Sequence, residues 1–397
     1  MYTDFIETYL TTTVNLPTPE IFRLWAAIAT ISGALQRRIW TVSYAGNTYP
    51  NIWVALAGRS GSGKSVALKT VQELWKNLDG VKIAPTNVTP AMFFEVLEAS
   101  QKQITNPKNL LVTHSPVNAC IREFGSFFPK YDAGYLSDLS DLYDCPPEYS
   151  LERKVAKSSN AINPCVNLIA AVTPAYLGDV LPEVAWGQGF CSRMLFIYGT
   201  REENYTNIFT PPTDISNAGL VTRLQEIHAL YGEVAWTTDA REFLISWFTA
   251  GALPTPDHSR LTEYKTRRSI HMLKLSMISA VAAGRDLLVT KDDVERAKQW
   301  LLQAEATMPD IFRAMVQKSD TQVISDLHYH FYTIWGSQPR EKRTPITEEQ
   351  IYKYLKDRVE SHKIKSLIET AERSGVLRKT KFPNEWLPAP LNERIEV

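Results

Sequence analysis

Residues 50–75 read PNIWVALAGRSGSGKSVALKTVQELW. The apolar run NIWVALAG suits a buried strand, and SVALKTVQELW carries the three- and four-residue apolar spacing of a helix. Between them stands G-R-S-G-S-G-K-S, residues 58–65, with the spacing G-x-x-x-x-G-K-S. Glycines at those places let backbone N–H groups close around a phosphate, and the helix that follows aims its N-terminal dipole at the same anion. The motif assigns Gly58, Ser60, Gly61, Ser62, Gly63 and Lys64 to the phosphates of a nucleotide, with the Lys64 ammonium at the β/γ-phosphates. It assigns the Ser65 hydroxyl to Mg²⁺, so ATP and Mg²⁺ are the expected cofactors.

The rest of the chain has to say what such a site is for. It has 397 residues, enough for two or three domains with real cores. Lys+Arg and Asp+Glu both number 43, so a nucleic-acid partner would be held by local basic patches rather than by a global field. Cys120, Cys145, Cys165 and Cys191 form no C-x-x-C pair, which argues against a zinc ribbon or redox motif and for buried thiols in a reducing cytoplasm. No apolar run is long enough to span a bilayer, and no membrane partner is expected.

The pattern outward from the loop predicts an α/β fold. Residues 1–45 read as a helical segment, with TPEIFRLWAAIATISGALQRRIW capped by Thr18. Residues 46–235 alternate strand-like and helix-like runs: KIAPTN, the capped helix TPAMFFEVLEAS, VNACIREFGSFF, the helix and turn YLSDLSDLYDCPPEYS, CVNLIAAVTPAYLGDVL and the strand GFCSRMLFIYGT. That alternation predicts a mostly parallel sheet covered by helices. IFTPPTDISN, within residues 201–235, reads as a surface loop. Residues 236–316 read as a small helical lid, and residues 317–397 as helix, helix and terminal hairpin, the order of a winged helix.

Three residues beyond the loop carry candidate chemistry. Glu123 follows the apolar run Ala119-Cys120-Ile121, where an acid at a strand end orients the attacking water; a surface glutamate is the plainer reading. Arg122 stands where an aspartate is usual in such ATPases, which leaves Ser65 and water as the evident Mg²⁺ ligands, with Asp141 or Asp144 as possible helpers. Thr173 ends the strand LIAAV and fits two roles, a γ-phosphate sensor and a helix cap before Pro174. Arg193 precedes a buried strand and fits either a finger reaching a neighbour's γ-phosphate or a structural partner of carboxylates.

The order GRSGSGKS, CIREF, LIAAVTP, GFCSRMLFIYG resembles the AAA+ ring ATPases, most closely the minichromosome-maintenance helicases. The start of the chain, FRLWAAIATISGALQRRIWT leading to YPNIWVALAGRSGSGKS, is similar to a family of phage and prophage ATPases found in replication modules. The resemblance covers about residues 20–310. It implies a P-loop AAA+ core, a helical lid, a ring, most often a hexamer, and Arg193 acting in trans. TRRSIHMLKLSMISAVA followed by DDVERAKQWL looks like that family's lid, which implies Arg267 or Arg268 as its second sensor. Arg122 and Thr173 depart from the family's aspartate and asparagine.

On the DNA side, Lys363, Lys365, Arg373, Arg378, Lys379 and Lys381 cluster in the C-terminal segment, where a winged helix contacts duplex DNA or, alternatively, protein. Lys154 and Lys157 fall in the interval where ring helicases carry a pore hairpin that holds single-stranded DNA. The expected function is an ATP-dependent, ring-forming DNA motor, a replicative helicase or translocase. A second reading is an ATP-switched helicase loader or initiation adaptor working with other replication proteins, and a third is a metabolic P-loop kinase.

Overall fold

The run WVALA forms a strand, β1 (Trp53–Ala57), in which every residue is buried. Burial on both faces explains its continuous rather than alternating hydrophobicity. The computed structural model describes residues 4–390 except 87, 129–131, 152–158, 182, 188, 201–218, 340, 342, 357, 358 and 360. The remaining strands of the central sheet are β2 (Lys102–Thr105), β3 (Leu111–Ile121), β4 (Pro164–Val172) and β5 (Met194–Tyr198). Their order is β2-β3-β4-β1-β5. β3, β4, β1 and β5 run parallel, as the alternating pattern predicts, and β2 is an antiparallel edge strand paired to β3. KIAPTN contributes one parallel bridge, Ile83 to Asn118, rather than a full strand.

The chain divides into two units, Met1–Phe312 and Arg313–Val397. The N-terminal, sheet and lid segments therefore belong to one body, and the boundary falls inside a single helix, Lys291–Ser337. In the first unit the helix Glu20–Leu35 is buried along nearly its whole length and packs against the helix Lys64–Lys76. Trp75 locks the pair: its indole N–H donates to Thr30 O at 3.0 Å, and the ring fills the space above Gly33, where a Cβ would lie 2.4 Å from it. The helix Thr262–Ala282 packs on Gly189–Arg193, at the entry end of β5.

Several expectations need correction. The helical N-terminal segment stops at Leu35; Ile39–Ser43 and Gly46–Thr48 then form an antiparallel pair. Thr18 does not cap the helix, which begins at Glu20 with Pro19 in the cap position and no side-chain cap bond. The loop expected at IFTPPTDISN lies outside the described residues, and beyond it Leu220–Ala229 is a helix with Leu220, Leu224 and Ile227 buried. GFCSR, expected to start a strand, is a helical turn before β5.

The second unit runs from the end of the long helix through strand Ile346–Thr347, helix Glu348–Leu355, helix Ser361–Arg373 and the hairpin strands Leu377–Lys379 and Glu385–Pro388. A capping box at Thr347 and Gln350 starts its first short helix. Its core gathers Leu327, Phe331, Ile351, Ile364, Leu367 and Trp386. No helix among the described residues is long and apolar enough to cross a membrane.

Candidate active site

The exit ends of β1, β4 and β3 meet in one cavity of about 470 Å³. β1 and β4 are in register to Ala57 and Val172, and Gly58 N donates to Val172 O at 3.2 Å, so the glycine loop and Thr173 leave the sheet side by side. β3 ends at Ile121, opposite Ala170, which brings Arg122 and Glu123 to the same rim. The cavity wall consists of residues 60–66 and 122–124, residues 171–173, Pro17 and Tyr176. Strand exits at such a junction are where open α/β sheets bind ligands.

The loop itself tests whether a phosphate group suits the site. Gly63 has φ +84°, and a Cβ there would lie 2.2 Å from Pro17 O and 2.6 Å from Thr18 Cα. Gly58 is equally enclosed, with 2.7 Å to both Gly199 O and Ser62 Oγ. The backbone is thus wrapped as closely as glycine allows, and the helix starting at Lys64 presents its first-turn amides to the cavity. Lys64 Nζ lies inside the loop, donating to Gly58 O at 2.8 Å and Arg59 O at 2.7 Å. Such a cation beside open amides fits an anionic phosphoryl group. The Ser65 side chain is exposed on the same rim and could hold a metal ion together with Glu123 and water.

Thr173 occupies the cap position of the helix Pro174–Val180 yet makes no side-chain cap bond, so its hydroxyl is not committed to the backbone. Glu123 is exposed at the rim, with no capping bond to the turn it precedes. Arg122, in the same wall, donates to Gln72 Oε1 at 3.2 Å. Neither Asp141 nor Asp144 lines the cavity, so neither supplies the missing aspartate there.

Two contributors were not foreseen. Tyr176 lines the cavity, with its hydroxyl set against Gly125, where a Cβ would stand 1.7 Å from it. The glycine in EFGSFF was the available signal, because a small residue after a strand end marks a close approach. Pro17 and Thr18 lie over Gly63, and the Thr18 hydroxyl is buried without a partner.

The arginines stand elsewhere. Arg193 precedes Met194, which pairs with Trp53 at the entry end of β1, about 16 Å of strand from the glycine loop. Its guanidinium is 8 % exposed and donates to Asp144 Oδ2 at 2.5 Å and Gly189 O at 2.8 Å. Arg267, from the lid helix, reaches the other oxygen of Asp144 at 3.1 Å. The carboxylate-bound reading of Arg193 therefore describes the single chain, and Asp144 serves two arginines instead of a metal. Arg268, expected beside the nucleotide as an alternative second sensor, is a framework residue. It is buried, donating to Glu305 Oε1 and Oε2 at 2.7 and 2.8 Å and to Ala252 O and Pro254 O at 2.6 and 2.9 Å. Neither Arg267 nor Arg268 lines the cavity.

In the second unit Lys363, Lys365, Arg373, Arg378, Lys379 and Lys381 are all exposed. They lie on the helix Ser361–Arg373, on the strand Leu377–Lys379 and in the turn beyond it, and Lys379 also pairs with Glu372 at 3.6 Å. Lys154 and Lys157 lie outside the described residues. In comparisons with known proteins, no family model and no curated protein matches the sequence.

Proposed function

We propose that the chain is an ATP-hydrolysing, ring-forming motor on DNA, with a P-loop AAA+ core, a lid and a C-terminal winged helix. The observation that carries the reading is the convergence of the Lys64–Ser65 loop, Glu123 and Thr173 at three adjacent strand exits around one cavity. In this reading the loop amides and Lys64 bind the β/γ-phosphates, and Thr173 donates to the γ-phosphate. Glu123 orients and accepts a proton from the attacking water. Mg²⁺, held by Ser65, would neutralise charge on the same oxygens.

The opposite end of the sheet supports a shared site. Arg193 and Arg267 converge on one half-exposed carboxylate, far from their own chain's cavity, so they could serve a nucleotide only on another subunit. In the second unit, the order helix, strand, helix, helix, hairpin with an exposed basic face supports a winged helix on duplex DNA.

Arg122 favours a second reading, an ATP-switched loader with slow turnover, because Glu123 is then the cavity's one carboxylate among the described residues. ATPase rate with and without single-stranded DNA, on protein whose mass is fixed by light scattering, separates the two. A motor is oligomeric and DNA-stimulated, and a loader is oligomeric and slow. Lys64→Ala should abolish hydrolysis, and Glu123→Gln should bind ATP without turnover. Parental turnover in Glu123→Gln refutes its assignment as base.

A further inference from the structure

A cationic cluster sits at the end of the sheet opposite the glycine loop, on the face covered by the helix Glu20–Leu35. Asn118 Nδ2 donates to Gly33 O at 3.0 Å, which puts the even-numbered residues of β3 on that face. His114 is four residues earlier on the same face, and Lys102 of β2 is its direct cross-strand partner. Arg38, just past the helix, places Nη2 3.5 Å from His228 Nε2. His228 Nδ1 lies 2.7 Å from Ala34 O and donates there. Lys102 Nζ donates to Gly80 O at 2.9 Å.

What distinguishes this cluster is unmet polarity. His114 is 2 % exposed and its Nε2 has no partner; Arg38 Nε is likewise buried and unpaired. Gln36, at the head of the same turn, is fully buried with neither amide atom paired. Its backbone, φ 52° and ψ −128°, lies in a region essentially reserved for glycine, and such strain persists where surrounding structure demands it. Burial holds Lys102 down to about 8, His114 to about 3 and His228 to about 4. The charges that press these three further down are cationic: Arg38 on Lys102, and Arg38 and Lys102 on both histidines. Buried donors without partners call for an ordered group. Water would satisfy the donors but leave the charge of Arg38 and Lys102 uncompensated.

We propose that Arg38, Lys102 and His114, with Gln36 and His228 behind them, form a second anion site that takes a phosphoryl oxyanion. The guanidinium supplies a planar donor, the ammonium a mobile one and the His114 ring a third direction, a set suited to a tetrahedral group. Lys102 and Arg38 are half-buried, which leaves an approach from solvent. The same chemistry is offered by free phosphate and by the phosphodiester of a nucleic-acid strand.

The test uses full-length protein carrying Lys64→Ala, so that the glycine loop does not compete. Histidine ring resonances, assigned with His114→Asn and His228→Asn, are followed during titration with inorganic phosphate and, separately, with a short oligothymidylate. The site predicts saturable shifts of the His114 and His228 signals with at least one probe. Lys102→Gln should weaken that binding roughly tenfold or more, the effect of losing one charge-assisted bond. Lys102→Arg should retain most of it. A response to phosphate alone identifies a free-ion site, and a response to the oligonucleotide alone identifies a backbone contact. Ring signals unmoved by either probe, or equal affinity in Lys102→Gln, overturn the proposal.

Discussion

Replacing Arg268 with Met tests whether this arginine is framework or sensor. The guanidinium and its partner are 2 % and 3 % exposed, and Glu305 has one further donor, the Tyr264 hydroxyl at 3.0 Å. Arg268→Met therefore strands a buried carboxylate, a loss of about 3–5 kcal/mol in comparable pairs. The carbonyls of Ala252 and Pro254 lose donors as well, so about 5 kcal/mol is expected, a large part of the total stability of an ordinary domain. Burial already raises the Glu305 pKa, against the pull of Arg268, and the variant raises it further. An acid with a raised folded pKa keeps its proton in the folded state, so stability falls as pH climbs above the unfolded value near 4.3. The deficit of Arg268→Met should thus shrink on acidification toward that value. Urea unfolding followed by tryptophan fluorescence at two pH values measures both effects. The double variant Arg268→Met/Glu305→Leu, which replaces the pair by apolar volume, should recover most of the loss. Arg267→Met, on the exposed side, should stay within about 1 kcal/mol of the parent. A deficit under about 1 kcal/mol for Arg268→Met, or one that is unmoved by pH and by the second substitution, refutes the framework assignment.

Removing residues 320–397 should leave basal ATP hydrolysis in place and weaken duplex DNA binding, since the cavity lies wholly in the first unit; equal duplex affinity at two salt concentrations would assign the second unit to protein contacts instead. Arg193→Ala and Lys64→Ala subunits, each nearly inactive alone, should regain activity when mixed, because a finger arginine can contribute roughly 10³-fold to turnover; no recovery despite subunit exchange would leave Arg193 a purely structural partner of Asp144. Burial lowers the pKa of His271 to about 3, of His114 to about 3 and of His228 to about 4, so each stays neutral when folded while the unfolded chain takes up protons below about 6.5. Stability is then complete above about 6.5 and falls as pH drops toward 4, and His271→Gln should flatten the melting temperature against pH in that window.

How far the sequence could be read follows from which forces are local. CVNLIAAV is legible as a central parallel strand because burial on both faces removes alternation, and its neighbours supply the registers that bring Thr173 beside Gly58. Thr18 shows the limit. Thr18-Pro19-Glu20 and Thr89-Pro90 carry the same cap signature, yet only Thr89 bonds its helix, through Met92 N at 3.3 Å. Thr18 is drawn instead against Gly63, a contact across the fold that no local rule contains.

The two lid arginines make the same point about chemistry. Arg267 and Arg268 are neighbours on one helix, about 100° apart around its axis, so one residue's difference sends them to separate environments. The match to a lid pattern named both and could not choose between them. The choice is made by Glu305, 37 residues further along, which takes Arg268 into the interior, and by Asp144, 123 residues earlier, which holds Arg267 at the surface beside Arg193. Asp144, itself about half-exposed, holds both guanidiniums, Arg193 buried and Arg267 partly exposed, and a phosphoryl group would offer them the same acceptors with more charge. On the proposed reading, Asp144 therefore orients Arg193 and Arg267 for the neighbouring subunit, and Asp144→Asn should keep the fold while lowering turnover in the assembled ring more than nucleotide affinity. Affinity and turnover falling together would show that Asp144 acts on the interface as a whole and not on the arginines' aim.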